Sequence, residues 1–257
     1  MPVLGFVGTE PMSWPSISVV IPAFNEERYI GRTLEHLQAA ANVLASRTDS
    51  VAEILVVDND STDRTAALAR ERGARVVRES EHNIGKVRNT GARMTRHDVL
   101  VFVDADTLVP RELLLRIAQQ MRDPRCAGGA VDVRLHPKRF AVRAYLEMCR
   151  GIAAIGRVAM GACQFCRRDA FMAAGGYDET VYVGEDVEFG WRLHSAALRH
   201  GLTTCMVRDL HVTTSSRRFD SWPLWRVLLL TNPFIIMALC RRKSAWRAWY
   251  DPTAAPR

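Results

Sequence analysis

Short, mainly apolar runs alternate with longer amphipathic segments through the first half of the chain. The apolar runs predict strands at residues 17–21, 53–57, 74–77 and 99–103. Between and after them, the pattern predicts helices at residues 27–45, 62–72, 84–95 and 110–121. Pro22 is expected to stop the first strand, Gly73 to end the second helix and Asn83 to open the third. This alternation indicates an α/β fold with a mostly parallel sheet flanked by helices.

The second half of the chain is less regular. Its apolar runs predict strands at residues 127–134, 160–167 and 203–207. Helices are predicted at residues 141–155 and 186–198, with a short helix ending at Ala174 and a glycine-rich turn at residues 175–178. The sequence has no internal repeat and no low-complexity tract.

Polar clusters follow three of the predicted strands. Residues 22–26 follow the first strand, residues 58–60 the second and residues 104–106 the fourth. Ligands of open α/β sheets bind outside the carboxyl ends of the strands. The three clusters therefore predict one binding site at that edge of the sheet.

The Asp104-Ala105-Asp106 cluster is the strongest candidate for a metal site. Two carboxylates one residue apart at the end of a buried strand repel each other unless a cation lies near them. Oxygen ligands suit Mg²⁺ or Mn²⁺, which keep several waters and share phosphate oxygens with a substrate. The alternative for these residues is an ordinary solvated turn, since the motif by itself is common.

Two further clusters have the residue types of a ligand site. We expect Asp58 to accept hydrogen bonds from a base or a ribose, while residues 61–63 cap the following helix. Lys86 and Arg88 open a helix, where a bound anion such as a diphosphate would compensate for their unfavourable interaction with the helix dipole. A solvated basic turn is the alternative for this pair.

Adjacent carboxylates at Glu185 and Asp186 open another predicted helix. They could serve as favourable partners of the helix dipole, or one of them could act as a general base toward an acceptor hydroxyl. His211 follows the last predicted strand. A lone histidine is most often structural, so its position alone predicts no chemistry.

Charge and tryptophan concentrate at the C-terminus. The chain of 257 residues carries a formal net charge of +7, of which residues 217–257 contribute 8 Lys/Arg and 2 Asp/Glu. The same segment holds four of the six tryptophans, so residues 216–257 are expected to contact an anionic membrane surface. The alternative is a helix pair packed on the core or on a second subunit, as in a homodimer. The rest of the chain is nearly neutral, and we expect no nucleic-acid partner.

Six scattered cysteines favour reduced thiols over a disulfide framework, and Cys163 with Cys166 is interpreted as a buried, inert pair rather than a metal or redox site. The N-terminus lacks the pattern of a signal peptide, and no run of about 20 apolar residues is found. We therefore expect a cytoplasmic protein, peripheral on the inner face of the cytoplasmic membrane if the basic segment binds lipid.

Five segments in register resemble the family 2 glycosyltransferases of GT-A fold. They are residues 17–26 (ISVVIPAFNE), 54–63 (ILVVDNDSTD), 83–91 (NIGKVRNTG), 103–106 (VDAD) and 184–192 (GEDVEFGWR). The resemblance covers about residues 16–215, which we predict to be the catalytic domain between an N-terminal tail at residues 1–15 and the basic segment at residues 216–257.

The resemblance implies an inverting transfer of a sugar from a nucleoside diphosphate donor, such as a UDP, GDP or dTDP sugar, to an acceptor hydroxyl. The acceptor is expected to be lipid-linked or part of the cell envelope if the basic segment binds membrane. Mn²⁺ or Mg²⁺ is the implied cofactor. The donor-binding positions would be Pro22, Asn25, Glu26, Asp58, Lys86, Asp104 and Ala105.

The resemblance also assigns the remaining roles. Asp106 would bind the metal directly, and His211 would complete the metal site in members that have a ligand there. Asp186 would be the catalytic base, and Glu185 would support the acceptor.

One position departs from the family pattern. The family usually has glycine where this chain has Asp60, so the turn and the base pocket are expected to differ. Two alternatives to the transferase remain. A sugar-nucleotide nucleotidyltransferase would need a glycine-rich loop after the first strand, which residues 24–27 lack. A non-catalytic relative would not need both Asp106 and Asp186.

Overall fold

The computed structural model describes residues 13–155 and 161–242. In this part of the chain, strands and helices alternate as far as β4. The strands are β1 (Ile17–Ala23), β2 (Ala52–Asp58), β3 (Arg75–Arg78), β4 (Val99–Val103), β5 (Thr107–Leu108), β6 (Cys126–Leu135), β7 (Cys163–Arg167) and β8 (Thr203–Thr214). The helices are α1 (Ile30–Arg47), α2 (Thr65–Glu71), α3 (Ile84–Met94), α4 (Leu113–Met121), α5 (Phe140–Ile155), α6 (Arg168–Ala173), α7 (Glu185–Arg199), α8 (Arg217–Ser221), α9 (Leu224–Leu230) and α10 (Pro233–Leu239).

The strands form a single sheet in the order β3-β2-β1-β4-β7-β6-β8-β5. Strands β1 to β4 are parallel, whereas β7 runs antiparallel to both β4 and β6. Only three residues join β4 to β5, yet three strands lie between them in the sheet order. The sheet therefore curls, and the Asp104-Ala105-Asp106 segment bridges from its centre to its far edge.

Hydrophobic layers cover both faces of the sheet. Alternate strand residues point to opposite faces, so Val19 and Val101 contribute to one core while Val20 and Phe102 contribute to the other. Helices α1 and α4 cover the first face, and α3, α6 and α7 cover the second. The predicted α/β architecture with helices on both faces is thus confirmed.

Several boundaries differ from the sequence prediction. Pro22 does not end β1, because the strand continues to Ala23 along β2. The pairing of β1 with β4 stops at Val20, so no hydrogen bond to β4 is lost where proline lacks its N–H. Helix α2 begins at Thr65 rather than at residue 62, since Ser61 and Thr62 bond to the loop after β1 instead of capping the helix.

Strand β8 continues well past the predicted end at residue 207. It follows β6 as far as Thr214, with a register irregularity between the Val131–Val207 and Asp132–His211 pairs. Thr213 and Thr214 then pair with the short strand β5. The boundary predicted between residues 215 and 216 falls between β8 and α8.

The described part of the basic C-terminal segment packs against α5. Val142 of α5 is buried with Trp222 and Val227, and the Arg139 guanidinium donates to the carbonyl oxygens of Phe219 and Trp222. Within residues 13–155 and 161–242, no helix is long and apolar enough to cross a bilayer. Trp246, Trp249 and the N-terminal residues 1–12 lie outside the described part, as does the start of the strand predicted at residue 160.

Candidate functional site

Hydrogen bonds join the loops after β1 and β2. The Asn25 side chain accepts from the Thr62 backbone N–H at 2.9 Å, and the Asn25 N–H donates to the Ser61 hydroxyl at 3.0 Å. The Glu26 N–H donates to the Thr65 hydroxyl at 2.7 Å. Asn25 has φ +54°, a left-handed conformation that asparagine tolerates. The loop predicted to bind the donor is therefore tied by hydrogen bonds to the loop after β2 and to the start of α2.

Asp58 ends β2 beside this loop and is only 7% exposed. Its Oδ1 atom is buried without a hydrogen-bond partner in the described structure. A buried carboxylate oxygen without a partner is unfavourable, and a ligand N–H or hydroxyl could supply the missing bond. The contact of Asp58 with a base or ribose stays a prediction.

Asp60 adopts φ +63° in the turn after β2. This is the left-handed region that glycine favours, and aspartate is one of the residues that enter it most readily. The Arg78 guanidinium donates to the Asp60 carboxylate from Nε at 2.9 Å. The turn therefore keeps a glycine-type conformation although the chain has no glycine there.

Asn83 caps α3 by accepting the Lys86 N–H at 2.9 Å, which places Lys86 in the first helical turn. The Lys86 ammonium binds the exposed Glu81 carboxylate at 2.5 Å. Lys86 therefore lies just beyond the carboxyl end of β3, paired with Glu81, and its contact with a diphosphate stays a prediction.

The Asp104-Ala105-Asp106 segment is anchored at its backbone. The Ala105 carbonyl accepts the Thr33 hydroxyl of α1 at 2.8 Å, and Ala105 itself is buried. The Thr214 hydroxyl donates to Asp106 Oδ1 at 3.0 Å. Burial raises the pKa of Asp106, the nearby Asp104 charge raises it further, and the Arg217 cation opposes the shift. A cation nearby would therefore stabilise the ionised form of the Asp106 carboxylate.

Arg88 connects this segment to the Glu185-Asp186 pair. Its guanidinium is buried at 2% exposure and reaches Glu185 Oε1 and Asp104 Oδ1. It also lies over the Tyr177 ring, 5.2 Å from the centroid. Burial raises the pKa of Glu185, and the Arg88 cation opposes that shift. Sequence reasoning placed Arg88 near a diphosphate, whereas the structure places it between two carboxylates.

Asp186 lies in the first turn of α7 with a defined orientation. The Gln164 side chain donates to its carbonyl at 2.9 Å. Burial raises the pKa of Asp186; Arg88 opposes this shift and Asp104 adds to it, while the nearby backbone groups of Val187 and Gly161 favour the ionised carboxylate and so act to lower the pKa. A carboxylate with a raised pKa is suited to accept a proton near neutral pH.

The structure does not bring His211 to Asp106. His211 is exposed and lies in β8 opposite Asp132 of β6. The β8 residue that contacts Asp106 is Thr214, because β5 pairs there. This register depends on the irregularity after Val207. The sequence does not reveal that irregularity, so the register could not be predicted.

Sequence reasoning missed Arg217, which it assigned to a membrane-binding segment. Both terminal nitrogens of Arg217 donate to the Glu26 carboxylate, one of them at 2.8 Å, and Nη2 lies 3.8 Å from Asp106 Oδ2. Burial raises the pKa of Glu26, and Arg217 opposes the rise. The apolar residues Leu210 and Val212 follow Val207 in the sequence. They could have indicated that β8 continues toward the site.

The residues present fit a divalent cation that is shared with a substrate. Asp104 and Asp106 offer hard carboxylate oxygens, and Mg²⁺ or Mn²⁺ in such sites takes one or two carboxylates plus phosphate oxygens. Among the described residues, no group of three His, Cys, Asp or Glu side chains forms a protein-only metal cage. Cys163 and Cys166 are both buried, as predicted, and pack into the cores on opposite faces of the sheet.

Solved structures with the same fold include a Pyrobaculum calidifontis mannosyltransferase in complex with GDP-Man and Mn²⁺. The match has a TM-score of 0.61 at 21% identity, covering 80% of this chain and 59% of that one. Glucosyl-3-phosphoglycerate synthase from Mycobacterium tuberculosis, in complex with Mn²⁺, UDP and glucosyl-3-phosphoglycerate, matches with a TM-score of 0.58 at 21% identity, covering 88% and 80%.

Among curated proteins, a beta-monoglucosyldiacylglycerol synthase of Synechocystis is 28% identical, covering 79% of this chain. A 4,4'-diaponeurosporenoate glycosyltransferase of Staphylococcus haemolyticus is 40% identical over 38% of this chain. The chain spans 45% and 26% of these two relatives. A family model described as glycosyl transferase family 2 matches residues 18–172, and a second, described as glycosyl transferase family group 2, matches residues 99–249. The chain belongs to glycosyl transferase family 2.

Proposed function

We propose that this protein transfers a sugar, with inversion, from a nucleoside diphosphate donor to an acceptor hydroxyl. The observation that carries the proposal is the Arg88 bridge, which joins the Asp104-Ala105-Asp106 segment to the Glu185-Asp186 pair. It brings a candidate cation site and a candidate base to the same edge of the sheet.

The nucleoside half of the donor would lie over the carboxyl ends of β1 and β2. Pro22, Asn25 and Glu26 form the loop beside it, and the unpartnered Oδ1 of Asp58 would accept a base or ribose hydrogen bond. Lys86 would exchange Glu81 for the diphosphate, which carries more charge. Asp104 and Ala105 would line the ribose and diphosphate region.

Asp106 would hold Mn²⁺ or Mg²⁺, with Asp104 closer to the nucleotide. When bound, the cation would supply Lewis-acid stabilisation of the negative charge that develops on the leaving diphosphate. Two solved structures of the same fold support this choice, since both structures described above contain Mn²⁺.

Asp186 would take the proton of the acceptor hydroxyl as its oxygen attacks the anomeric carbon. Attack on the face opposite the leaving diphosphate inverts the configuration. The Gln164 side chain holds the Asp186 backbone in place, and Glu185 would support the acceptor from its buried position against Arg88. General-base catalysis of this kind contributes roughly 10²- to 10⁴-fold in rate.

We further propose a lipid-linked acceptor and peripheral contact with an anionic membrane. Large apolar side chains are exposed on α5 and on α9, which pack on each other through Val142 and Val227, and we call these side chains together the apolar patch: Phe140, Met148, Leu224, Trp225, Leu228 and Leu229. Basic residues lie close to it in sequence: Lys138, Arg143, Arg226, Arg241 and Arg242. Exposed apolar side chains flanked by cations suit the interface of an anionic membrane.

The C-terminal segment that carries α9 also contacts, beyond α10, the loop before the candidate base. The Tyr182 N–H donates to the Cys240 carbonyl at 2.7 Å, and Arg241 binds Asp178 at 3.0 Å. A membrane-bound acceptor would therefore approach Asp186 along the same side. One relative is named as a synthase of a glycosylated diacylglycerol, which agrees with this acceptor class.

Titration with UDP, GDP and dTDP, each with and without Mn²⁺, tests the proposed donor site. We expect one nucleotide to bind micromolar or tighter with Mn²⁺ and at least about tenfold more weakly without it. Binding of none of the three in either condition would contradict the proposal. A nucleotidyltransferase would instead bind the nucleoside triphosphate and release pyrophosphate from it, so pyrophosphate release separates that alternative.

A further inference from the structure

Arg217 occupies the space between two carboxylates of the proposed donor site. Its guanidinium forms a two-pronged ion pair with Glu26 and lies over the Tyr29 ring, 4.5 Å from the centroid. Its Nη2 atom is also 3.8 Å from Asp106 Oδ2. The side chains of Arg217, Glu26 and Asp106 are 21%, 14% and 17% exposed, so water screens these charges only partly.

The backbone explains how a C-terminal arginine reaches this place. Strand β8 ends at Thr214, whose hydroxyl binds Asp106, and Arg217 begins α8 three residues later. The turn between them therefore delivers the guanidinium to the same carboxylate that Thr214 already orients. The contact spans 191 positions in the chain between Glu26 and Arg217.

A permanent cation at this distance opposes a second cation on Asp106. Two unit charges about 4 Å apart at a partly buried site interact strongly enough to change a binding constant by tenfold or more. A divalent ion held by Asp106 would repel Arg217 more strongly still. A diphosphate placed beside the ion would reverse the balance, because it offers oxygens that match the guanidinium fork.

We propose that Arg217 is an internal counter-ion that holds Asp106 and Glu26 before the donor binds, and that it exchanges them for the donor's diphosphate when the metal enters. This inference rests on the proposed function. It makes the binding of the cation and of the diphosphate cooperative, so each binds weakly alone. The diphosphate draws the Arg217 charge away from the cation, and the cation frees the Arg217 guanidinium for the diphosphate. Glu26 is then the residue to which the guanidinium returns when the diphosphate leaves.

Equilibrium dialysis of Mn²⁺ tests this exchange. Mn²⁺ binding is measured once without inorganic pyrophosphate and once with the same total concentration of pyrophosphate on both sides of the dialysis membrane. The variant Arg217→Gln should bind Mn²⁺ alone about tenfold more tightly than the wild type, because the competing charge is gone. Pyrophosphate should raise the Mn²⁺ affinity of the wild type strongly and that of the variant by a much smaller factor. Arg217→Lys keeps the charge and should behave like the wild type toward Mn²⁺ alone.

Arg125→Gln is the matched control, since Arg125 is exposed, pairs locally with Asp123 and lies at the opposite ends of the strands. If Arg217→Gln melts early, Arg217→Met replaces it, because the methionine side chain can still pack on the Tyr29 ring. Mn²⁺ affinity of the neutral variants no higher than that of the wild type and Arg125→Gln would overturn the inference.

Asp106→Asn separates this inference from the proposed function. If that variant loses Mn²⁺ binding while Arg217→Gln equals the wild type, Asp106 is a ligand and only the role of Arg217 is wrong. If Asp106→Asn binds Mn²⁺ as the wild type does, Asp106 is not a ligand, and both the proposed metal site and the counter-ion role fail.

Discussion

Arg88 Nη1 donates to Glu185 Oε1 at 2.6 Å, while Nη2 of the same guanidinium donates to Asp104 Oδ1 at 2.8 Å. One buried cation thus sets the spacing between the end of β4 and the start of α7. The Glu185 side chain is only 9% exposed, so its charge would be buried and uncompensated without this partner. The candidate cation site and the candidate base therefore depend on a residue that binds neither substrate in the proposed mechanism.

Replacement of Arg88 by methionine should destabilise the protein by about 3–5 kcal/mol, because it leaves a buried carboxylate unpaired. The double variant Arg88→Met/Glu185→Gln should recover part of this loss, since the uncompensated charge is removed with its partner. Urea denaturation measures both values. Arg93→Met is the matched control: Arg93 lies on the same helix but is 59% exposed, and its loss should cost little. Equal costs at the two positions would contradict the role assigned to Arg88.

The first half of the fold could be predicted because its strands are short apolar runs with polar residues at their carboxyl ends. Val99–Val103 is fully buried and leads directly into Asp104, so both the strand and the polar residues at its carboxyl end follow from local pattern. The same logic located Asp58 at the end of β2. These predictions needed no knowledge of which strands are neighbours.

Contacts between distant segments could not be predicted in this way. The pairing of Thr214 with Thr107 depends on the curl of the sheet and on the register irregularity after Val207. That register decides that Thr214 and Arg217 reach Asp106 while His211 lies opposite Asp132. Local composition described Arg217 correctly as part of a basic segment, but its partner Glu26 is set by tertiary structure alone.

Asp186→Asn should retain donor binding and lose roughly 10²- to 10⁴-fold in the rate of transfer, because asparagine cannot accept the acceptor proton. Calorimetric titration of the nucleotide identified by the Mn²⁺ screen gives the binding constant, and single-turnover measurements give the rate. Glu188→Gln serves as the control, since Glu188 lies on the same helix and pairs with Arg192. A rate near that of the wild type for Asp186→Asn would exclude this carboxylate as the base.

Gly161→Ala should lower the transfer rate with a smaller effect on nucleotide affinity. A Cβ atom at Gly161 would collide with the side chain of Asp186, at its Cβ and Oδ2 atoms. The carboxylate must therefore move or rotate. Gly151→Ala, with nothing within 4 Å of the added Cβ, controls for the substitution itself. The comparison of kcat between the two variants is decisive; equal values would show that Asp186 tolerates the shift.

Glu53 should contribute stability that disappears at acid pH. Burial raises its pKa, but hydrogen bonds from the Ser18 hydroxyl at 2.6 Å and the Arg96 N–H at 2.8 Å outweigh this, so the pKa lies below its ordinary value of 4.5. The ionised form is thus favoured in the folded state. Its contribution is complete above pH 4.5 and is lost as pH falls through the lowered pKa.

The measurement is the difference in unfolding free energy between the wild type and Glu53→Gln. We expect about 1 kcal/mol in favour of the wild type at pH 7, shrinking toward zero below pH 4. Nucleotide affinity should not change, because Glu53 lies at the amino ends of the strands, opposite the site. Glu71→Gln, an exposed carboxylate on α2, should show no such pH dependence of the difference. A difference independent of pH would mean that the Glu53 carboxylate is not the titrating group.

The apolar patch should govern binding to anionic vesicles. Trp225 and Leu229 are 66% and 45% exposed on α9, and burying both in an interface would contribute several kcal/mol. The double variant Trp225→Ser/Leu229→Ser should therefore sediment at least about tenfold less with phosphatidylglycerol vesicles.

Trp191→Ser/Leu198→Ser is the matched control, since these α7 side chains are exposed at 51% and 59% away from the patch. Raised salt should weaken wild-type binding, because the flanking arginines attract the lipid charge. Equal sedimentation of both double variants, or no wild-type binding to anionic vesicles, would contradict a membrane role for this surface.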